Sequence, residues 1–176
     1  MGVKKILRGI LVCLIISSMM GLTVLADDFD WSRFPCVTPD SVLLPPGQAK
    51  SDVWYYPKQR GDYIAGANLS ISDEGNGTIG IFAQTLTHYP IDKCRMRVYL
   101  DRWYENKNAW ENLDYWDITF LKENEESGVL TMPTIYFHAY DLPTGYYYRL
   151  RGLHAIWVNG TTEGFSTQTD GIKLIK

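Results

Sequence analysis

Three kinds of side chain in this 176-residue sequence have the chemistry to form a site: histidines, acids and aromatic rings. His88, His138 and His154 are the only histidines, and no two have the local spacing of paired metal ligands. The sequence therefore predicts no metal site and no cofactor. Asp73-Glu74-Gly75-Asn76-Gly77 and Glu123-Asn124-Glu125-Glu126 carry oxygen ligands, but neither follows the spacing of a calcium loop, and both read as solvated turns. There is no nucleophile elbow, no HExxH and no phosphate loop, and neither Cys36 nor Cys94 has an evident His partner. No catalytic residue is assigned and an enzyme is not expected. Acids on different strands can still meet as glycosidase pairs do, although one small β core leaves little room for a deep cleft.

Aromatic rings remain. Trp54, Tyr55, Tyr56, Trp103, Tyr104, Trp110 and Trp116 are the candidate ligand-binding aromatics, because a flat apolar ring with a polar edge is a surface on which sugars stack. The competing reading is core filler. Neighbours in a strand point to opposite faces, so at least one of each adjacent pair, such as Trp103 and Tyr104, is expected to pack inside. Arg60-Gly61-Asp62 is an adhesion tripeptide in sequence, but a turn whose Gly lets the chain enter a sheet explains it as well.

The elements that must position these rings begin after residue 26. Lys4, Lys5 and Arg8 precede an apolar stretch from Ile10 to Leu25, and Val24-Leu25-Ala26 places small residues at −3 and −1. Residues 1–26 are expected to be a secretory signal cleaved after Ala26, the stretch being short of the roughly 20 apolar residues of a stable span. Cys13 follows Val12, where lipid attachment wants a small residue, and Leu142-Pro143-Thr144-Gly145 lacks the third residue of a sorting pentapeptide. The expected location is therefore extracellular, with no membrane contact after signal removal. Losing Lys4, Lys5 and Arg8 takes the net charge from −3 to −6, which argues against nucleic acid as a partner.

Outside the cytoplasm the simplest reading of Cys36 and Cys94 is one disulfide; two separate thiols, or a bridge between molecules, remain the alternatives. Residues 27–62 hold Pro35, Pro39, Pro45, Pro46 and Pro57 and read as an irregular arm packed on the domain by its aromatics. From 63 to 176 the period is two-fold. Ala67, Leu69 and Ile71 alternate with polar residues, Asp73–Gly77 turns, and Thr78 to His88 returns as a hairpin. Cys94, Met96, Val98 and Leu100 mark a half-buried strand. Trp110 to Leu121, Val129 to Tyr140, Tyr146 to Val158 and a last strand after Asn159-Gly160 complete the pattern. The expected fold is all-β: an antiparallel immunoglobulin-like β-sandwich of about seven strands behind a Pro-rich arm.

Leu142-Pro143-Thr144-Gly145-Tyr146-Tyr147-Tyr148 resembles the corner before the sixth strand of immunoglobulin-like and fibronectin-III-like domains, where a Tyr hydroxyl ties back to upstream backbone; Tyr146 or Tyr148 is the corner residue. Cys36 precedes the first strand, which departs from an antibody-type bridge. The segments Ala-Asn-Leu-Ser-Ile-Ser from 67, Arg-Met-Arg-Val-Tyr-Leu from 95, Tyr-Tyr-Tyr-Arg-Leu-Arg-Gly from 146 and Thr-Glu-Gly-Phe-Ser-Thr from 162 resemble an uncharacterised family of small secreted proteins from Gram-positive bacteria. That resemblance implies an exported sandwich and no particular activity. The expected role is a non-enzymatic binding module at or outside the cell envelope, its partner a glycan or a protein; a carbohydrate-binding module and a self-assembling surface protein are its two sharper forms.

Overall fold

Residues at every second position that are β-branched, aromatic or otherwise apolar can bury one face only on a pleated surface, and the chain forms strands wherever that pattern holds. A computed structural model describes residues 30–57 and 63–175. The signal at 1–26 with its cleavage point after Ala26, Cys13 and Arg60-Gly61-Asp62 lie outside the described residues. The strands are β1 (Lys50–Tyr55), β2 (Ile64–Gly75), β3 (Thr78–Thr87), β4 (Lys93–Tyr104), β5 (Ala109–Leu121), β6 (Thr134–Ala139), β7 (Tyr147–Val158), β8 (Thr161–Gln168) and β9 (Ile172–Lys173). They form two antiparallel sheets, β1-β2-β3-β6 and β5-β4-β7-β8, with β9 beside β7. The chain changes sheet between β3 and β4, β5 and β6, and β6 and β7, the interlocked path of an immunoglobulin-like sandwich.

Between the sheets, Ala67, Leu69, Ile71, Ile79, Ile81 and Ala83 meet Cys94, Met96, Val98, Leu100, Tyr148, Leu150 and Ile156, all buried. Each fully buried Leu or Ile is worth roughly 1.5–3 kcal/mol of transfer free energy, so this alternation is the main force holding the sandwich closed. Asn76-Gly77 and Asn159-Gly160 close the β2–β3 and β7–β8 hairpins with positive φ at both residues (51° and 73°, 49° and 76°), the twist a two-residue turn needs. Tyr148 is fully buried and its hydroxyl donates to the Pro143 carbonyl at 2.7 Å, while Tyr146 is exposed. The corner is therefore closed by Tyr148.

Four expectations are corrected. Residues 27–62 are not irregular throughout: Lys50–Tyr55 is an edge strand paired with β2, and the fold unit begins at Trp31. Pro45, Pro46 and Pro57 flank that strand and do not break it, since an edge strand needs donors on one side only. The strand expected over Val129 to Tyr140 is shortened to β6, because Pro133 cannot donate to a ladder. Nine strands among the described residues stand where about seven were expected, the additions being β1 and the separate β9.

The fourth concerns Cys36 and Cys94, both of which are free thiols. The arm runs beside β8, Cys36 bridging Ser166 and Leu43 bridging Gly171. Cys94 lies on β4, beyond β7. Three inter-strand spacings of about 4.8 Å put at least about 14 Å between the two residues, whereas a disulfide spans at most about 6.8 Å between Cα atoms. Cys94 points into the core, where burial pushes its thiol up to about 12, the Thr85 side chain opposing this only weakly.

Candidate functional site

The seven candidate aromatics separate into three places. Tyr55 and Trp116 point inward: Tyr55 packs on Phe165 (4.8 Å between ring centroids), and Trp116 meets Phe137 edge-on at 4.9 Å. Trp103, Tyr104 and Trp110 gather where β4 turns into β5. Trp54 and Tyr56 stand on the outer face of the β1-β2-β3-β6 sheet.

Trp110 and Trp116 share a strand at an even spacing and would share a face in a regular one. They do not, because Leu100 opposes Asp114 while Asp101 opposes Asn112. Leu113 is the extra residue of a β-bulge, and it reverses the side to which β5 points its side chains. Trp110 therefore pairs with Trp103 edge-to-face at 5.4 Å on the outer side.

The β4–β5 end of the second sheet holds a cleft of about 270 Å³ lined by Trp103, Tyr104, Glu105, Asn106, Gly145, Tyr146 and Tyr147. Its rings are already engaged within the molecule. The Arg102 guanidinium lies over both Tyr104 (4.5 Å) and Tyr146 (5.0 Å) and donates to the Tyr104 hydroxyl. Trp103 takes the edge of Trp110, and Trp110 carries Arg149 at 4.7 Å and sits against Gly171, where a Cβ would meet its Cη2 at 2.6 Å.

The rest of that sheet's outer face is likewise internally satisfied. Asp101 is buried and accepts from Arg149 (3.0 Å) and Arg151 (2.7 Å). Burial alone would raise its pKa, but the hydrogen bonds and charges of the two arginines outweigh that and hold it below the ordinary carboxylate value. Arg97 pairs with Asp117 and lies over Trp31, the buried residue at the head of the arm. Cation–π contacts and ion pairs here hold the arm and the sheet together.

The outer face of the first sheet is different. Three rows cross it: Lys50, Ser72, Gly80 and His138; Asp52, Ser70, Phe82 and Tyr136; Trp54, Asn68, Gln84 and Thr134. Aromatic rings stand on both edge strands. On β1, Trp54 and Tyr56 are 47% and 59% exposed, with ring planes parallel to within 4° and centroids 5.8 Å apart. On β6, Tyr136 and His138 meet edge-on at 5.2 Å, and Tyr140 follows. Between the edges β2 presents small polar side chains, and β3 adds Gly80, Phe82 and Gln84. Asn68 donates to Asp52 Oδ1 at 2.6 Å and to the Val53 carbonyl at 3.0 Å, and the Ser72 hydroxyl donates to Glu74 at 2.5 Å.

The sequence singled out Trp54 and Tyr56 but missed Phe82, Tyr136 and the polar file on β2. The available signal was the polar half of the β2 alternation, Asn68, Ser70 and Ser72, which marks an open face; that β6 lies two strands away is not written in any local pattern. No cluster of three or more His, Cys, Asp or Glu side chains able to hold a metal occurs among the described residues, and no helix among them is long and apolar enough to cross a membrane. A comparison with curated proteins finds no match. Residues 42–172, from the arm through β9, match a family of unknown function, and the chain belongs to that family, DUF6147.

Proposed function

We propose that the protein is an exported, non-enzymatic binding module acting at or outside the cell envelope, and that its ligand is a carbohydrate. The observation that carries this reading is the parallel, half-exposed pair Trp54 and Tyr56 on a sheet face whose adjoining strand β2 presents amide, hydroxyl and carboxylate groups. A sugar has an apolar C–H face and a polar rim, and recognition needs both an aromatic surface and directional hydrogen-bonding groups. Export rests on the basic, apolar and small-residue segments of 1–26.

The edges of the β5-β4-β7-β8 sheet favour a binder over a self-assembling subunit. The arm covers the β8 edge, Val37 N–H donating to the Ser166 carbonyl at 3.0 Å and Ser166 N–H to the Pro35 carbonyl at 2.9 Å, and the β5 edge is interrupted by the Leu113 bulge beside Asp114 and Asp117. Both devices discourage strand addition.

A glycan and envelope-component array probed with the protein, beside light scattering, tests the proposal. The expected result is retention on glycans by a monomer, lost in the Trp54→Ala/Tyr56→Ala double variant, with the glycan chain length unchanged after incubation. Retention on no glycan would refute the carbohydrate reading, and shortened glycan would refute the non-enzymatic one.

A further inference from the structure

The outer face of the β1-β2-β3-β6 sheet is a trench as well as a surface. Its floor is the file Asn68, Ser70, Ser72 and Glu74 on β2 together with Gly80 and Phe82 on β3, and Lys50 and Tyr136 form its walls, enclosing about 430 Å³. The depth comes from residue size. The small residues Asn68, Ser70 and Ser72 on β2 and Gly80 on β3 lie between Lys50 and Trp54 on one edge strand and Tyr136 on the other, with the Phe82 ring beside Tyr136. Asn68 and Ser70 are only 3% and 6% exposed although they point away from the core, while Tyr136 beyond them is 65% exposed.

Gly80 keeps the middle of the floor low. A Cβ there would lie 2.5 Å from the Ser72 hydroxyl and 2.7 Å from Glu74 Oε1, so any side chain would displace the Ser72–Glu74 pair. We propose that this trench binds an extended, uncharged polysaccharide whose chain runs along β2 from Trp54, opposite Asn68, to Glu74. The inference rests on the carbohydrate reading above and assigns it a site, an axis and a charge class.

The axis follows from the β2 file: Asn68 to Glu74 spans six residues, about 20 Å at the rise of a strand. A floor of that length suits several successive sugars. Its groups recur at every second residue, and since the Asn68 amide donates to Asp52 and Val53 and the Ser72 hydroxyl to Glu74, what the file offers is chiefly oxygen acceptors, a match for the hydroxyl donors of a repeating ligand. Phe82 and Tyr136 supply ring surface halfway along and Trp54 supplies it at the head. The charge class follows from the lining charges. Lys50, the one lining cation among the described residues, pairs with Asp52 at 3.6 Å, and Glu74 accepts from Ser72. With its cation so paired and two carboxylates nearby, the trench repels an anionic polymer and leaves neutral hydroxyls as its partners.

Affinity electrophoresis of the purified protein in gels containing a neutral glucan, a neutral galactomannan or polygalacturonate tests this. The variants are Ser70→Tyr, which fills the trench from its floor, Tyr136→Ala, which removes a wall, and Gly80→Ala. All three sites face away from the core, and unchanged far-ultraviolet circular dichroism verifies folding. The expected result is retardation of the wild type by at least one neutral polymer, weakened about tenfold or more in Ser70→Tyr and Tyr136→Ala. Retardation of all variants equal to wild type would overturn the trench while leaving the carbohydrate reading standing. Retardation by polygalacturonate alone would overturn the neutral class, and retardation by no polymer would overturn the trench together with the reading on which it rests.

Discussion

His154 sits where the two sheets meet, fully buried, its Nδ1 2.9 Å from the Thr85 hydroxyl and its Nε2 3.2 Å from that of Thr167. The Thr85 hydroxyl proton is directed at the Met96 sulfur at 3.4 Å, so its oxygen accepts from Nδ1–H and Nε2 accepts from Thr167. Both ring nitrogens are satisfied with the ring neutral, and burial lowers its pKa from the ordinary 6.5 to about 4. The sign for stability follows. Below pH 6.5 the unfolded chain takes up a proton that the folded chain refuses until about pH 4, so stability falls across that window. The fall is about 3 kcal/mol for a shift of this size. Asp101 acts in a separate window: its folded pKa lies below the ordinary 3.8, so its contribution is present near neutrality and is lost only as the pH drops further. Urea midpoints at pH 7, 5.5 and 4.5 are expected to decline steadily in the wild type and to be nearly flat in His154→Gln; a flat wild-type profile would show that the buried ring is not the sensor. None of this was legible in sequence, where His154 is one of three scattered histidines and nothing local distinguishes it from the exposed His88.

At the scale of strands and turns, most of what formed could be read from residue order. The alternation around Leu69, Val98 and Leu150 and the Asn-Gly pairs at 76 and 159 decide pairing locally, because period and turn twist are properties of neighbouring residues. The corner at Pro143–Tyr148 is another such element, and it is testable by itself. Tyr148→Phe removes the 2.7 Å part-buried bond to the carbonyl of the exposed Pro143, and is expected to cost about 1 kcal/mol by chemical denaturation. Tyr146→Phe, on an exposed side chain, is expected to change stability by less than about 0.5 kcal/mol. Equal effects of the two would mean that the corner bond contributes nothing. Two features defeated local reading. The Leu113 bulge sends Trp110 and Trp116 to opposite faces, and it arises from the mismatch between β4 and β5, two strands whose register neither sequence states alone. Lys50–Tyr55 looked like part of a Pro-broken arm because its strand character comes from pairing with β2.

At the scale of the whole molecule, the separation of the two cysteines is the clearest consequence of topology. With residues 1–26 removed, a thiol reagent without reductant is expected to count one reactive group in the native protein, Cys36, and two after unfolding, when Cys94 leaves the core. A disulfide would give none in either state. The same topology decides which sheet face stays open. The arm and the arginine–aromatic contacts occupy the outside of the β5-β4-β7-β8 sheet, and β6 returns to the far side of β3, so that Tyr136 faces Trp54 across the polar file of β2. By itself the sequence determined the regular strands β2, β4 and β7 with their inward faces, the hairpin turns and the corner motif, since these depend on residues within a few positions of one another. Only the tertiary structure decided the partners: that Cys36 and Cys94 lie on opposite sides of β7 and β8, that His154 meets Thr85 and Thr167, and that the polar file of β2, Gly80 and Phe82 of β3 and side chains of the two edge strands make one trench. Those are contacts between residues up to about 80 positions apart, set by the order of strands in the sheets, and sheet order minimises the energy of the whole core without leaving a local trace in any strand.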